Sequence, residues 1–296
     1  MSELAQLGAN GLVTGSILAM AAVGVSLVYG ILRIVNFAHG DYLTFGAYIA
    51  LLVNVGWQGH IVLAAVGAVV VTALFAGALE FALWRPLRRK QAGLFSLFIA
   101  AIGLALVLRH AIFLVAEARP RRYDVDIFQV YEVGPIRLSQ SQAVAVGIAL
   151  SAIVLVGLML ARTGLGKAMR ALADDRSLAA VAGIDVDRTV VVTWALAGGL
   201  AGVAGLLQAL ILNAFNPNFG SMLLLPVFAA VVLGGIGSAY GALVGGLVLG
   251  LVMEVSTWSV LAGGAPPVYK PVVAFAVLIV VLLLRPQGVF GRARVL

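Results

Sequence analysis

Cysteine is absent from this chain of 296 residues, and charged residues make up only 10% of it. The first absence excludes disulfides, thiolate metal sites and cysteine nucleophiles. The second excludes a water-soluble globule, which carries roughly 25% charged residues. Histidine is scarce as well: His39, His60 and His110 stand far apart, and no His-Glu-x-x-His zinc motif occurs. There is no Gly-x-x-x-x-Gly-Lys-Ser/Thr loop for nucleotide phosphates and no Gly-x-Ser-x-Gly nucleophile elbow. No catalytic residues, metal site or cofactor are therefore expected. Hydrophobic residues reach 62% and the mean hydropathy is +1.11. Too few polar side chains remain to cover a surface in water, so lipid must be the solvent for most of the chain.

The net charge is +7. Basic residues do not alternate with aromatics outside the apolar stretches, so nucleic acid is not expected as a partner. Cationic loops beside an anionic leaflet explain the charge. A bilayer core needs about 20 apolar residues per helix. The apolar runs then divide into about nine spans, within a range of eight to ten: 4–32, 42–56, 61–84, 91–116, 143–161, 189–212, 222–233, 239–253 and 271–284. Trp57-Gln58-Gly59-His60 separates the second from the third, and the Gly-rich run at 234–238 separates the seventh from the eighth.

Alternating spans put Arg33, Arg85, Arg88, Arg89, Lys90, Arg162, Lys167, Arg170, Arg176, Arg188, Arg285, Arg292 and Arg294 on one side. Only Arg119, Arg121, Arg122, Arg137 and Lys270 fall on the other. The positive-inside rule makes the first side cytoplasmic, with the N-terminus outside and the C-terminus inside. The expected organisation is a single transmembrane domain over 1–296, with an external loop at 117–142 and a cytoplasmic segment at 162–188. Neither polar segment is long enough for a core of its own, so any ATP-hydrolysing engine sits on another polypeptide.

Three polar sites interrupt the apolar pattern. Asn36-Phe37-Ala38-His39-Gly40-Asp41 admits two readings. It is either a short turn, with Asn36 closing one helix and Asp41 capping the next, or a discontinuous helix whose backbone lines a polar cavity. Gly234, Gly235 and Gly237 cannot sustain a helix cheaply, and Ser238 suits the N-cap of the helix that follows. Gly198-x-x-x-Gly202, Gly241-x-x-x-Gly245 and Gly246-x-x-x-Gly250 suit close helix contacts. The third site lies within 162–188 and reads as two short helices. Asp174 is placed to cap the second, and Gly183 to end it. That helix lies either on the membrane surface or in a partner's groove. Glu80 and Glu254 stand as isolated carboxylates near span ends. Two interrupted apolar segments, one in each half of the chain, point to a transporter built from repeats, with no residue-level repeat strong enough to prove it.

These motifs resemble the LivH-like permeases of bacterial high-affinity branched-chain amino acid ABC importers. The resemblance rests on 36–41, on Leu233-Gly234-Gly235-Ile236-Gly237-Ser238, and on the ending Arg285-Pro286-Gln287-Gly288-Val289-Phe290-Gly291. It also rests on Gly166-Lys167-Ala168-Met169-Arg170-Ala171 with Ala182-Gly183-Ile184-Asp185-Val186. It implies an all-α, type II importer-like permease with discontinuous helices, in the bacterial inner membrane. It implies a translocation path along Asn36, His39, Asp41, Gly234, Gly235, Gly237 and Ser238. It implies ATPase coupling through Lys167, Arg170, Asp174, Arg176, Ser177, Leu178, Ala179 and Gly183. The implied partners are a second homologous permease subunit, two cytoplasmic ATPase subunits, an extracytoplasmic substrate-binding protein and membrane lipid. Where the general importer coupling motif has Glu-Ala-Ala, this chain has Ser177-Leu178-Ala179. Branched-chain or other hydrophobic amino acids are the implied cargo. Relatives that carry amides, urea or aromatic acids, and a stand-alone ion-coupled transporter, are the alternatives.

Overall fold

The computed structural model describes residues 2–125, 129–259, 266–285 and 287–290. Helices α1 (Ser2–Leu32), α2 (His39–Leu51), α3 (Ile61–Leu79), α4 (Arg85–Arg89) and α5 (Leu94–Ala116) form the first part. Single π-turns at Leu52–Gly56 and Glu80–Trp84 extend α2 and join α3 to α4. A hairpin follows, β1 (Val130–Val133) paired antiparallel with β2 (Ile136–Ser139), then α6 (Gln140–Arg162) and two short helices, α7 (Gly164–Asp174) and α8 (Arg176–Val181). The last part is α9 (Val186–Leu212), α10 (Phe219–Gly234), α11 (Ala239–Val255) and α12 (Lys270–Leu284).

Burial sorts these helices into a centre and a rim. The apolar stretch of α1 is 89% buried and that of α9 is 78%, whereas that of α12 is only 6% buried. Small residues set the centre. Gly15 and Gly250 meet backbone to backbone, Ala19 meets Gly246, and Gly198 and Gly202 lie against Thr72, Ala76 and Ala68. The glycine pairs expected to make helix contacts do so. The rim is apolar where it is exposed: Phe95, Val107, Leu114 and Val115 on α5, Leu155 on α6, and Val272 and Leu283 on α12. Apolar side chains facing outward on long helices are what a lipid solvent selects.

Among the described residues, six helices are individually long and apolar enough to cross a bilayer core. The nine expected spans therefore hold only approximately. All nine segments are helical, but α2, α10 and α11 have 13, 16 and 17 residues. The axes of α10 and α11 differ by 119°, so they form a hairpin and not one bent rod.

Contacts divide the molecule into two ends. At the hairpin end, Gln6 at the start of α1 bonds the Arg137 backbone in β2, and Asn54 bonds Gly59 and Asp124. Arg121 and Phe215 exchange backbone bonds there. At the linker end, Arg33 donates to the Ala173 carbonyl, Arg85 pairs with Asp187, and Gly30 lies against Gly237. Every basic residue that pairs at the linker end belongs to the thirteen expected on one side.

Helix order reveals a duplication, to which the interrupted apolar segment in each half had pointed. The first copy is α1, a return strand at 33–38, α2, α3 and α5. The second is α9, a return strand at 213–218, α10, α11 and α12. Both long helices end on a positive-φ residue, Arg33 at 57° and Asn213 at 60°. Both return strands carry an Asn-x-x-x-Gly turn. Ala38 N–H donates to Asn36 Oδ1 at 3.1 Å, and Asn218 N–H to Asn216 Oδ1 at 3.0 Å. Phe37 packs on Phe228 and Tyr48 on Phe215, each with ring centroids 5.2 Å apart. Reciprocally, α1 packs on α11 and α3 on α9. The two copies run in opposite directions between the ends. Helices α6, α7 and α8 have no counterpart.

Candidate functional site

Each return strand carries the chain back into the protein before its helix begins. His39, the first residue of α2, sits beside Gly24 of α1, with its Nε2 at 3.1 Å from the Ala21 carbonyl. The two helix starts then meet. A Cβ on Gly40 would lie 2.7 Å from the Gly220 carbonyl, and one on Gly220 would overlap the Gly40 carbonyl. Two helix N-termini therefore abut inside the fold, each with backbone N–H groups unused by its own helix. Non-helical backbone at this depth is tolerated only inside protein or along a cavity. The break at 33–38 is thus a turn buried inside the protein, with Asn36, His39 and Asp41 all shielded from solvent.

The capping roles change accordingly. Asn36 does not close α1, which ends at Leu32; its Oδ1 instead fastens the turn into α2. Asp41 does not cap α2, whose N-cap Ala38 has no side-chain bond. Asp41 is fully buried and pairs with Arg109 of α5, Nε to Oδ1 at 3.1 Å and Nη2 to Oδ2 at 3.4 Å. A buried carboxylate needs such a partner, because an uncompensated buried charge costs about 3–5 kcal/mol.

Glu80 and Glu254 are not isolated. Glu80 takes a forked pair from Arg88. Glu254 accepts from Lys270 Nζ at 2.6 Å and from Thr14 Oγ1 at 3.0 Å. In each copy a carboxylate at or near the end of the third segment ties to a cation further along the chain, Arg88 in α4 or Lys270 at the start of α12.

The Gly-rich run lies at the linker end, away from the centre where Asn36 and Asp41 sit. Gly235 and Gly237 have φ of 107° and 88°, and the Ser238 hydroxyl accepts the Gly241 N–H at 3.0 Å to cap α11. Gly234 packs directly on Gly241. The C-terminal motif clasps this turn: Val289 N–H donates to Leu233 O and Phe290 N–H to Gly234 O, satisfying carbonyls at the end of α10. Pro286 and Gly291 of that motif lie outside the described residues. Because Gly237 also touches Gly30, Gly237→Val should lower the yield of monodisperse protein in detergent at least fivefold. Ser238→Ala removes one cap, worth about 0.5–2 kcal/mol, and should lower yield less. Equal yields would refute the strained-turn account.

The linker folds as two helices, as expected, with one shift. Asp175, not Asp174, caps α8, accepting from Ser177 N–H at 2.8 Å and Leu178 N–H at 3.0 Å. The Ser177 hydroxyl also donates to it at 2.6 Å. These bonds hold the exposed Asp175 carboxyl below the ordinary range. The cap is therefore charged at neutral pH, and its contribution is lost only as pH falls through that lowered value. Asp174 is the last residue of α7, and Gly183 follows the C-cap Ala182 with φ of 85°. Arg170 donates to the Leu160 carbonyl and ties α7 back to α6. Lys167, Arg176 and Ser177 are exposed, and Leu178 and Val181 are 67% and 88% exposed. Ala179 differs: it is buried in the chain's own core at 3% exposure, so it is unavailable to a partner.

Sequence reasoning missed the Asp41–Arg109 pair, the Asn216 turn and the partners of Glu80 and Glu254. Asp41 stands at the start of one apolar run and Arg109 inside another, and the complementarity of their charges was the available signal.

Comparison with known proteins agrees with this architecture. Residues 8–282 match the family described as branched-chain amino acid transport system / permease component. The chain is 33% identical to the high-affinity branched-chain amino acid transport system permease protein LivH of Escherichia coli K12, over 97% of this chain and 95% of the relative. It is 35% identical, with the same coverage, to the BraD permease protein of Pseudomonas aeruginosa. Among solved structures, PsaBC from Streptococcus pneumoniae in complex with Fab shares the fold, with a TM-score of 0.51 at 11% identity over 95% of this chain and 92% of that one. An all-α membrane architecture with two opposed copies, a family match across nearly its whole length and a third of its residues shared with these permeases make the chain a member of the branched-chain amino acid transport permease family.

Proposed function

We infer that the chain is one permease subunit of an ABC importer for branched-chain or other hydrophobic amino acids in the bacterial inner membrane. It works with a second homologous permease, two cytoplasmic ATPase subunits and an extracytoplasmic binding protein. The observation that carries this reading is the linker end. A six-residue helix is too short to persist alone in water, yet α8 is capped, anchored through Ala179 and turned so that Leu178 and Val181 face outward. A rigid mount for exposed apolar side chains, outside the spans, suits a docking partner that supplies the energy this chain has no site to harvest. The arginines and Lys167 around it favour encounter with an acidic rim. The cargo is proposed from the relatives' names. The translocation path is proposed to run past Asn36, His39 and Asp41, with Gly234, Gly235, Gly237 and Ser238 holding the inner closure.

The functional test is whether binding protein loaded with L-leucine stimulates ATP hydrolysis by the assembled complex in liposomes. Stimulation of at least threefold is expected, and none would refute the assignment. Topology follows from the same reading. With no native cysteine, Arg176→Cys should resist a membrane-impermeant thiol reagent in intact cells, and Arg137→Cys in the hairpin should react. The reverse pattern would invert the proposed orientation.

A further inference from the structure

Arg109 is a cation about two turns from the end of a largely apolar α5. Two of its N–H groups are spent on Asp41; among the described residues its Nη1 has no hydrogen-bond partner. A quarter of its side chain is exposed, while Asp41 is wholly buried. Beside it His110 is exposed, with Nδ1 engaged by the Leu106 carbonyl at 2.8 Å. An arginine facing hydrocarbon costs about 2.5–3.5 kcal/mol on insertion scales, and such residues mark pathways. Helix α5 packs chiefly on α2, the discontinuous helix. The free edge of the guanidinium therefore lies where the chain's own helices leave α5 uncovered, next to the point where the two helix starts meet.

We propose that Arg109 is the residue that holds the carboxylate of an amino acid as it passes, and that Asp41 weakens this grip enough for the cargo to leave. This rests on the importer reading above. A guanidinium offers donors in a fork that matches a carboxylate. A lone arginine in a low-dielectric passage would bind that carboxylate too tightly to release it, since conduction needs sites that are favourable but weak. Prior neutralisation by Asp41 leaves the hydrogen-bonding edge and removes most of the attraction. The pair is neutral overall, which suits a zwitterion and disfavours cargo of net charge.

The test uses the assembled complex in liposomes, with cysteine-free partners and L-leucine as cargo. Arg109→Cys should lower uptake at least tenfold while the complex still assembles. Reaction with 2-aminoethyl methanethiosulfonate, which places a cation at that position, should restore uptake at least threefold, and methyl methanethiosulfonate should not. Lack of reaction with either reagent would place the residue in lipid and overturn the proposal, as would equal rescue by the neutral reagent. Should the thiol variant not assemble, Arg109→Lys and Arg109→Gln decide. Lys is expected to keep at least a third of the uptake and Gln less than a tenth, and equal uptake would reduce the pair to a structural tie. Stimulation of ATP hydrolysis by loaded binding protein in the unaltered complex checks the importer reading separately.

Discussion

Gly220→Val should abolish recovery of folded protein, whereas Gly103→Val should leave it near the unaltered level. A Cβ at Gly220 would overlap the Gly40 carbonyl and the Thr44 hydroxyl, while one at Gly103 would meet nothing within 4 Å. The obstacle at Gly220 is backbone belonging to the first turn of α2, which is itself buried and fastened by Asn36 and by Asp41 with Arg109. A flexible side chain could swing away, but this backbone cannot move without breaking those ties. Overpacking a core costs typically 1–3 kcal/mol and more where nothing yields, so a loss above about 4 kcal/mol is expected here. Size-exclusion profiles and thermal aggregation midpoints in detergent measure it. Matching midpoints for the two variants would mean that the helix starts are not a fixed junction.

Val181→Asp combined with Leu178→Asp should release the ATPase subunits and cut uptake at least tenfold, with the permease still in the membrane. Both side chains project from α8 into solvent, so neither supports the fold. Two carboxylates on a docking surface would face desolvation without partners, a cost of several kcal/mol. The single variant Ala179→Trp tests something else. It would damage the chain's own packing, so loss of coupling there would say nothing of docking. Co-purification with the ATPase subunits and retained uptake in the double variant would remove α8 from the interface.

The centre of the fold was the least legible part of the sequence. Hydropathy located all nine helical segments, because apolar runs and Gly or polar breaks are local signals. The Ser238 cap, the positive φ of Gly235 and Gly237, and the Gly183 stop were also readable, since each depends on a few adjacent residues. Asp174 lost its cap role to Asp175 by one position, within the ordinary imprecision of helix ends. The partner of Asp41 was not legible because it lies 68 residues away. Ala179 looked like a docking residue because its burial depends on how α8 folds back on the chain. The duplication showed in the sequence only as an interrupted apolar segment in each half, because its two copies keep turn geometry and aromatic placement but few identical residues: Asn36 and Gly40 answer Asn216 and Gly220, while His39 answers Phe219.

Helix α6 has no counterpart in either copy, and parity explains its presence. Each copy makes four passes between the two ends, so a chain that finishes the first copy is back on the side where it started. A second copy joined directly would run parallel to the first, and its helix start could not abut the other head to head. One additional pass turns the second copy over. The α6 rod is thus the element that converts a tandem repeat into an inverted one, and removing or doubling it would change the handedness of the whole pairing with every residue of both copies intact.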